Sequence, residues 1–177
     1  MIDFTKSKQY TLSIRLSTDG FSFSIYNPIH DDSLSIIEKE IDTSLSLTAN
    51  LKAVFHESDF LNHPYKRVNI MMASKRFTIA PLDLFEEGQA ELLFYHNHQK
   101  RENETVLYNI LRKNNVAVIF GIDKSAQTFL NEQYPEARFY SQSTPFIDYF
   151  SVKSRLGNSK KMYASVRKDG IDIYCFE

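Results

Sequence analysis

The chain opens with apolar and polar residues in strict alternation, and the alternation is interrupted by an Asp-Gly pair. Residues 9–17 and 20–27 flank this pair, Asp19 and Gly20. Glycine accepts the positive φ that a tight primed turn requires, so Asp-Gly between alternating runs is a strong hairpin signal. The pattern predicts an antiparallel hairpin with one buried and one polar face, and residues 34–41 predict a third strand that extends the meander.

Further strands are predicted wherever short apolar runs lie between turn signals. They are expected over residues 67–73, 77–80, 106–111, 116–122 and 138–141. The run 116–122 is continuously apolar, which is typical of a strand buried on both faces. The region 97–104 is polar and is predicted to be a loop.

Helices are predicted where the apolar residues change to a spacing of three and four. They are expected over residues 44–57, from Asp83 to about His96, over 124–133 and over 145–155. The predicted caps are side chains that can accept a hydrogen bond from the first helical turn: Thr43 or Ser44, Asp83, Asp123 and Thr144. Pro145 is expected at the first position of the last helix. This mixed order of strands and helices predicts an α/β fold with a mixed sheet covered by helices.

The last residues of the chain repeat the opening pattern. Residues 10–26 and 163–176 both contain an aromatic residue, then Ser, a β-branched residue and Arg, followed by Asp-Gly and alternating apolar residues. This repeat predicts a second hairpin, 161–176, and an internal duplication. The chain is therefore expected to consist of one domain over 1–157, followed over 158–177 by a linker and the first hairpin of a truncated second repeat.

Composition and charge restrict the class of protein. With 177 residues, 42% hydrophobic and 24% charged, the chain suits one well-buried domain. The net charge of −1 argues against general attraction to nucleic acid or membrane. The single cysteine, Cys175, excludes a disulfide framework. Since no signal peptide and no bilayer-spanning apolar run is visible, we expect a cytoplasmic protein.

Polar residues near the first turn form a candidate ligand site. They are Ser13, Arg15, Ser17, Thr18 and Asp19. Their hydroxyl and guanidinium groups could hold a phosphate or another anion. The alternative is the solvated face of an antiparallel hairpin, which would carry the same residue types. Asp19-Gly20 and Asp169-Gly170 are explained by turn chemistry rather than by catalysis.

Neither a metal site nor a catalytic site is predicted. His96 and His98 would share a face if the chain were extended there, whereas on a helix they would diverge, and no third ligand follows at a characteristic spacing. The paired acids are not placed opposite each other, and Cys175 has no histidine nearby in sequence.

A basic run lies between Asp148 and Asp169. It contains six positive charges and no acidic residue: Lys153, Arg155, Lys160, Lys161, Arg167 and Lys168. Such a run could contact a phosphate backbone. The alternative is a solvated linker, which the slightly negative overall charge and the lack of an RNA-binding aromatic motif favour.

Four segments resemble an uncharacterised bacterial family, the domain of unknown function 3822. They are Leu12 to Ile25, Phe77 to Pro81 with Leu84-Phe85, Val116 to Ile122, and Ala137 to Tyr140 before Thr144-Pro145. More broadly, the chain resembles the actin-like ATPase superfamily, whose two ribonuclease H-like domains each open with such a hairpin. The resemblance implies a ribonuclease H-like (actin-like ATPase) domain and identifies the chain as similar to the N-terminal part of a longer protein.

The resemblance also bears on chemistry. Actin-like ATPases organise Mg²⁺ with an acidic residue near the start of the first hairpin, and this position falls at about Arg15 in the chain. We therefore expect a non-catalytic module that acts by protein–protein contact and needs no cofactor. The alternative is ATP binding or hydrolysis with Mg²⁺ in a cleft that needs a second domain. A third interpretation is weak nucleic-acid contact through 153–168.

The second hairpin is the expected interaction edge. Its candidate residues are Tyr163, Ser165, Arg167, Ile171, Ile173 and Cys175. An unfinished sheet leaves backbone donors and acceptors open to another chain. We expect self-association, or capture of an unknown protein partner, through residues 163–176.

Overall fold

A computed structural model of the protein describes residues 2–29, 34–156, 160–167 and 170–176. Its strands are β1 (Thr11–Ser17), β2 (Gly20–Tyr26), β3 (Leu34–Lys39), β4 (Arg67–Ala73), β5 (Phe77–Pro81), β6 (Glu104–Leu111), β7 (Val116–Asp123), β8 (Arg138–Ser141), β9 (Met162–Arg167) and β10 (Gly170–Cys175). Its α-helices are α1 (Leu47–Glu57), α2 (Ala90–Asn97), α3 (Lys124–Gln133) and α4 (Ser143–Arg155).

The strands form three sheets rather than the single sheet that the sequence suggested. The main sheet has the order β3-β2-β1-β4-β8, with β1 antiparallel to β2 and parallel to β4. β5, β7 and β6 form a separate antiparallel sheet, and β9 pairs with β10 in a third. The helices connect and cover these sheets, so the expected mixed α/β architecture is confirmed.

The first turn has the predicted Asp-Gly chemistry. Gly20 has a φ of +145°, a conformation that residues with a side chain rarely adopt. A Cβ atom at this position would also lie 2.9 Å from the carbonyl oxygen of Lys39 on β3. Glycine is therefore required both by the turn and by the close approach of the neighbouring strand. Gly170 begins β10, whereas Asp169 lies outside the described residues.

The main core lies between one face of the main sheet and two helices. The fully buried side chains from β1 and β2 are Leu12, Ile14, Leu16, Phe21, Phe23 and Ile25. They pack against buried residues of α1 and α3, including Leu51, Phe55 and Leu130. Burial of each large apolar side chain stabilises the fold by roughly 1.5–3 kcal/mol. Both helices cover the same face, and the polar residues of β1 and β2 lie on the opposite face.

Two helix starts differ from the predictions made from the sequence. α1 begins at Leu47, because Ser46 is its cap and accepts a hydrogen bond from Ala49 N at 3.1 Å. The predicted caps Thr43 and Ser44 lie before it. α2 begins at Ala90 rather than after Asp83, and two short 3-10 turns, Leu82–Leu84 and Glu87–Gln89, precede it. Gly88 has a low helix propensity and lies in the second of these turns.

The last helix also differs from its prediction, whereas the third agrees with it. α4 begins at Ser143, so Pro145 is its third residue, and Thr144 is helical. The Thr144 hydroxyl donates instead to Asn109 Oδ1 of β6 at 2.8 Å, a tertiary contact that local sequence does not indicate. At α3, Asp123 accepts from Ala126 N at 2.8 Å, which confirms the predicted cap.

The predicted burial of residues 116–122 is confirmed. β7 is buried over almost its whole length because it lies in the middle of the three-stranded sheet and contacts the main core, α2 and α4. Within the described ranges, no helix is both long enough and apolar enough to cross a membrane.

Candidate functional site

The five polar residues proposed as a ligand site do not line one common cavity. Ser13 and Arg15 line a groove on the face of the main sheet opposite α1 and α3. Ser17 and Thr18 line a different cavity at the end of β1. Asp19 lines a third, smaller concavity with Arg15. The five side chains therefore line three different cavities, although Asp19 contacts both Ser17 and Arg15.

Local contacts explain much of this polar cluster. Asp19 accepts a hydrogen bond from the Ser17 hydroxyl, and its backbone N–H donates to Ser17 Oγ at 3.2 Å. Arg15 lies 3.8 Å from the Asp19 carboxylate and donates from Nε to Gln142 Oε1 at 3.4 Å. The contacts between Ser17 and Asp19 are typical of a hydrogen-bonded turn. Within the described ranges, no group of three His, Cys, Asp or Glu side chains is placed to hold a metal ion.

The cavity at the end of β1 has a volume of about 510 Å³ and is called here the end cavity. Its polar lining includes Ser17, Thr18, Ser74, Arg76, Arg101, Glu104 and Asp123. It lies at the carboxyl ends of the parallel strands β1 and β4, where the strand order reverses direction, a common position for ligands in α/β sheets. The hydrogen bond from Arg76 to Glu104 raises the pKa of the guanidinium above its usual range, and the two opposite charges compensate each other.

The C-terminal hairpin has two different faces. On one face, cross-strand pairs join Met162 to Cys175, Ala164 to Ile173 and Val166 to Ile171. We call these six side chains the apolar face. Met162, Val166, Ile171 and Ile173 are each between 61% and 74% exposed, and together they form a contiguous apolar patch.

The other face of the hairpin packs against α4. The Tyr163 ring stacks on Phe150 with a centroid distance of 4.5 Å, and Tyr174 packs against Phe146 at 5.8 Å. Tyr174 is buried. The aromatic contacts fix the hairpin on the domain, so its apolar face is held toward solvent.

The predicted interaction residues are therefore divided between the two faces. Ile171, Ile173 and Cys175 belong to the apolar face, whereas Tyr163 lies on the docked face. Ser165 is half-buried, and the backbone of Arg167 ends β9. Sequence reasoning missed Met162 and Val166, although the alternation along β9 places them on the same face.

Basic residues near the end of α4 contact their own chain. Arg155 donates to the carbonyl oxygen of Lys113 at 2.9 Å, and Lys161 donates to that of Leu156 at 2.9 Å. Lys153 lies 4.7 Å from the centroid of the Tyr149 ring. Cations at a helix C-terminus interact favourably with its carbonyl groups. Three cations of the basic run, Lys153, Arg155 and Lys161, thus have intramolecular contacts, and Lys168 lies outside the described residues.

Comparison with known proteins gives a family model and a similar crystal structure. The model, described as "Protein of unknown function (DUF3822)", matches residues 1–177. The crystal structure, from Bacteroides thetaiotaomicron, is of a protein with an actin-like ATPase fold and unknown function. It is 84% identical with a TM-score of 0.94, and the match covers 100% of this chain and 69% of that chain. No curated protein matches the chain. The expected ribonuclease H-like, actin-like ATPase fold is confirmed.

Proposed function

The chain belongs to the DUF3822 family, whose function is unknown, so we propose a function from the surface of the chain itself. We propose that the protein is a non-catalytic actin-like module that acts by protein–protein contact. The observation that carries this proposal is the apolar face of the C-terminal hairpin. Its exposed side chains are contiguous across two strands, and the opposite face is fixed on α4. A contiguous apolar patch of this kind marks an interaction surface.

The isolated chain uses its apolar face to bind a second copy of itself. All six residues of the apolar face are uncharged, so the face is complementary to itself and suits a two-fold contact. A hairpin face is smaller than the roughly 800 Å² per partner typical of stable complexes. We therefore expect weak association, with a dissociation constant on the order of 100 μM.

The first hairpin supports the non-catalytic part of the proposal. Arg15 occupies the position at which the resemblance places a metal-organising acid, and it contacts Gln142 and Asp19. Asp19 is itself held in the turn by Ser17. A guanidinium at this position would repel Mg²⁺ rather than bind it.

The internal duplication is also our proposal, and the two hairpins support it. Ile14 and Phe23, which are fully buried on the first hairpin, match Val166 and Ile173 in the repeated pattern. The face that forms a core in the first copy is thus uncovered in the second.

An exposed thiol at Cys175 also fits a reducing cytoplasmic location, which we propose for the protein.

A concentration series in sedimentation velocity tests the interaction proposal. The wild-type chain should show a rising weight-average mass over a hundredfold range that includes about 100 μM. Val166→Thr combined with Ile171→Thr should remain monomeric, since threonine keeps the strand propensity and removes the apolar contact. The matched control is Leu84→Thr with Leu92→Thr, because these residues are also exposed, at 73% and 71%, and lie elsewhere. A wild-type chain that is monomeric throughout would contradict the proposal.

ATP binding with Mg²⁺ is the second candidate, and the position of the end cavity favours it. Hydroxyl groups of Ser17, Thr18 and Ser74 and the guanidinium of Arg101 line this cavity. A ligand at a hundred times its dissociation constant adds about 2.7 kcal/mol of stability. We expect Mg-ATP to raise the Tm clearly, either in this chain or in the longer Bacteroides thetaiotaomicron protein that is similar to it. The variant Arg101→Met should lose that rise. The absence of a rise in both proteins would reject this candidate.

A further inference from the structure

The groove on the main sheet has a shape that its sequence explains. Its floor consists of the small side chains Ser13, Ser22 and Ser24, and the strand register pairs Ser13 with Ser24. Larger apolar residues surround this floor: Leu34, Ile36, Met71, Leu111, Pro145 and Phe146. Small residues between larger ones leave a depression of about 720 Å³, which we call the serine groove. Its size is typical of sites for small organic ligands.

The walls and floor of the serine groove favour an amphipathic occupant. Leu34 and Ile36, on the edge strand β3, are largely exposed, and Phe146 of α4 lies on the opposite wall. Within the described ranges, the hydroxyl groups of Ser13 and Ser24 form no side-chain hydrogen bond. An apolar body would cover the walls, and a polar edge could bind the hydroxyl groups.

The charges of the serine groove favour an anion. Its described lining has two guanidinium groups, Arg15 and Arg67, and one carboxylate, Asp148. Arg15 is about one-quarter exposed, and its contacts with Gln142 and Asp19 are both long, at 3.4 and 3.8 Å. A guanidinium has five N–H donors, so Arg15 retains donors for a ligand.

The two arginines lie at different ends of the serine groove. Thr11 pairs with Arg67 in the β1–β4 register, and Arg15 lies four residues further along β1. Four residues of a strand span about 13 Å. The backbone positions of the two arginines are therefore well separated, and an anionic group beside Ser22 lies nearer to Arg15, which pairs with Ser22 in the β1–β2 register.

We propose that the serine groove binds an amphipathic monoanion, an apolar chain or ring system that ends in a carboxylate. The carboxylate binds the guanidinium of Arg15 near the Ser22 end of the groove. The apolar body extends over the serine floor between Ile36 and Phe146. This site is independent of the apolar face of the hairpin, and neither proposal depends on the other.

Isothermal titration with decanoate, below its micellar concentration, and with uncharged decanol tests the site. Decanoate should bind at least tenfold more tightly than decanol, because only the carboxylate forms a charge-assisted bond with Arg15. Arg15→Met should weaken decanoate binding at least tenfold, whereas Arg67→Met, the matched control at the other end, should change it less than threefold. Ser24→Phe should abolish binding by filling the floor, with every charge unchanged.

Several outcomes would contradict the site. Absence of decanoate binding to the wild type, equal binding of decanol, or full binding to Ser24→Phe would overturn the proposal. The variant Val166→Thr with Ile171→Thr shows whether the probe sits on the hairpin instead. Decanoate binding that persists in this hairpin variant supports the serine groove as its site. Binding that is lost in the hairpin variant but retained in Arg15→Met would overturn the proposal.

Discussion

Replacing Glu104 with Ala should lower the free energy of unfolding by about 3 kcal/mol, because it leaves a desolvated guanidinium without its partner. Arg76 donates to Glu104 through Nε at 2.7 Å and through Nη2 at 2.6 Å. The two side chains are only 15% and 6% exposed. Arg76 also donates to the carbonyl oxygen of Gln99 at 2.8 Å and lies 5.4 Å from the Phe94 ring centroid. The bridge therefore joins the loop before β5 to the start of β6.

Two matched variants separate the ion pair from general packing. Gly121→Ala should cost a similar amount, since its Cβ would lie 2.8 Å from Cδ of Glu104 and 3.0 Å from Cζ of Phe94. Arg76→Met combined with Glu104→Met should recover most of the loss, because an apolar pair leaves no buried charge. Urea unfolding gives these values from the midpoint and the m-value. A Glu104→Ala variant that unfolds at the wild-type urea concentration would show that the bridge contributes nothing.

Replacing Asn109 with Leu should lower the free energy of unfolding by about 3 kcal/mol, since it leaves three hydrogen-bonding groups without their partner. Asn109 Nδ2 donates to the carbonyl oxygen of Phe139 at 2.9 Å. Its Oδ1 accepts from Ser141 N at 3.0 Å and from the Thr144 hydroxyl at 2.8 Å. One side chain thus connects β6 of the three-stranded sheet to β8 of the main sheet and to the start of α4.

Thr144→Val is the control for this prediction. It removes one of the three hydrogen bonds and keeps the shape of the side chain, so we expect a loss of about 1 kcal/mol. The same urea experiment compares both variants with the wild type. Equal losses in Asn109→Leu and Thr144→Val would mean that Asn109 does not hold the two sheets together.

Local signals account for the parts of the fold that the sequence predicted correctly. Gly20 and the alternation around it indicate the first hairpin, and Asp123 indicates the start of α3. The grouping of β5, β6 and β7 in a sheet of their own depends on pairings between distant residues, such as that of Phe77 with Phe120. No short-range pattern encodes such pairings.

The candidate surfaces show the same division between local and tertiary information. Alternation along β10 was sufficient to identify Ile171 and Ile173 as one face. Which face is docked depends on the stacking of Tyr163 on Phe150, a contact that only the folded chain contains. The serine groove likewise needs α4 and β3 beside the polar face of the first hairpin, so the sequence could not distinguish a ligand site at Ser13 and Arg15 from a solvated strand face.

The most direct measurement of the central claim uses Cys175, which is the single cysteine of the chain and lies on the apolar face opposite Met162. Pulse alkylation followed by mass spectrometry reports how often this face is covered. The interaction account predicts that the alkylation rate falls as the chain concentration approaches about 100 μM. It also predicts that Val166→Thr with Ile171→Thr removes this dependence. An alkylation rate that is constant over the whole concentration range would contradict the claim that the protein acts through this face.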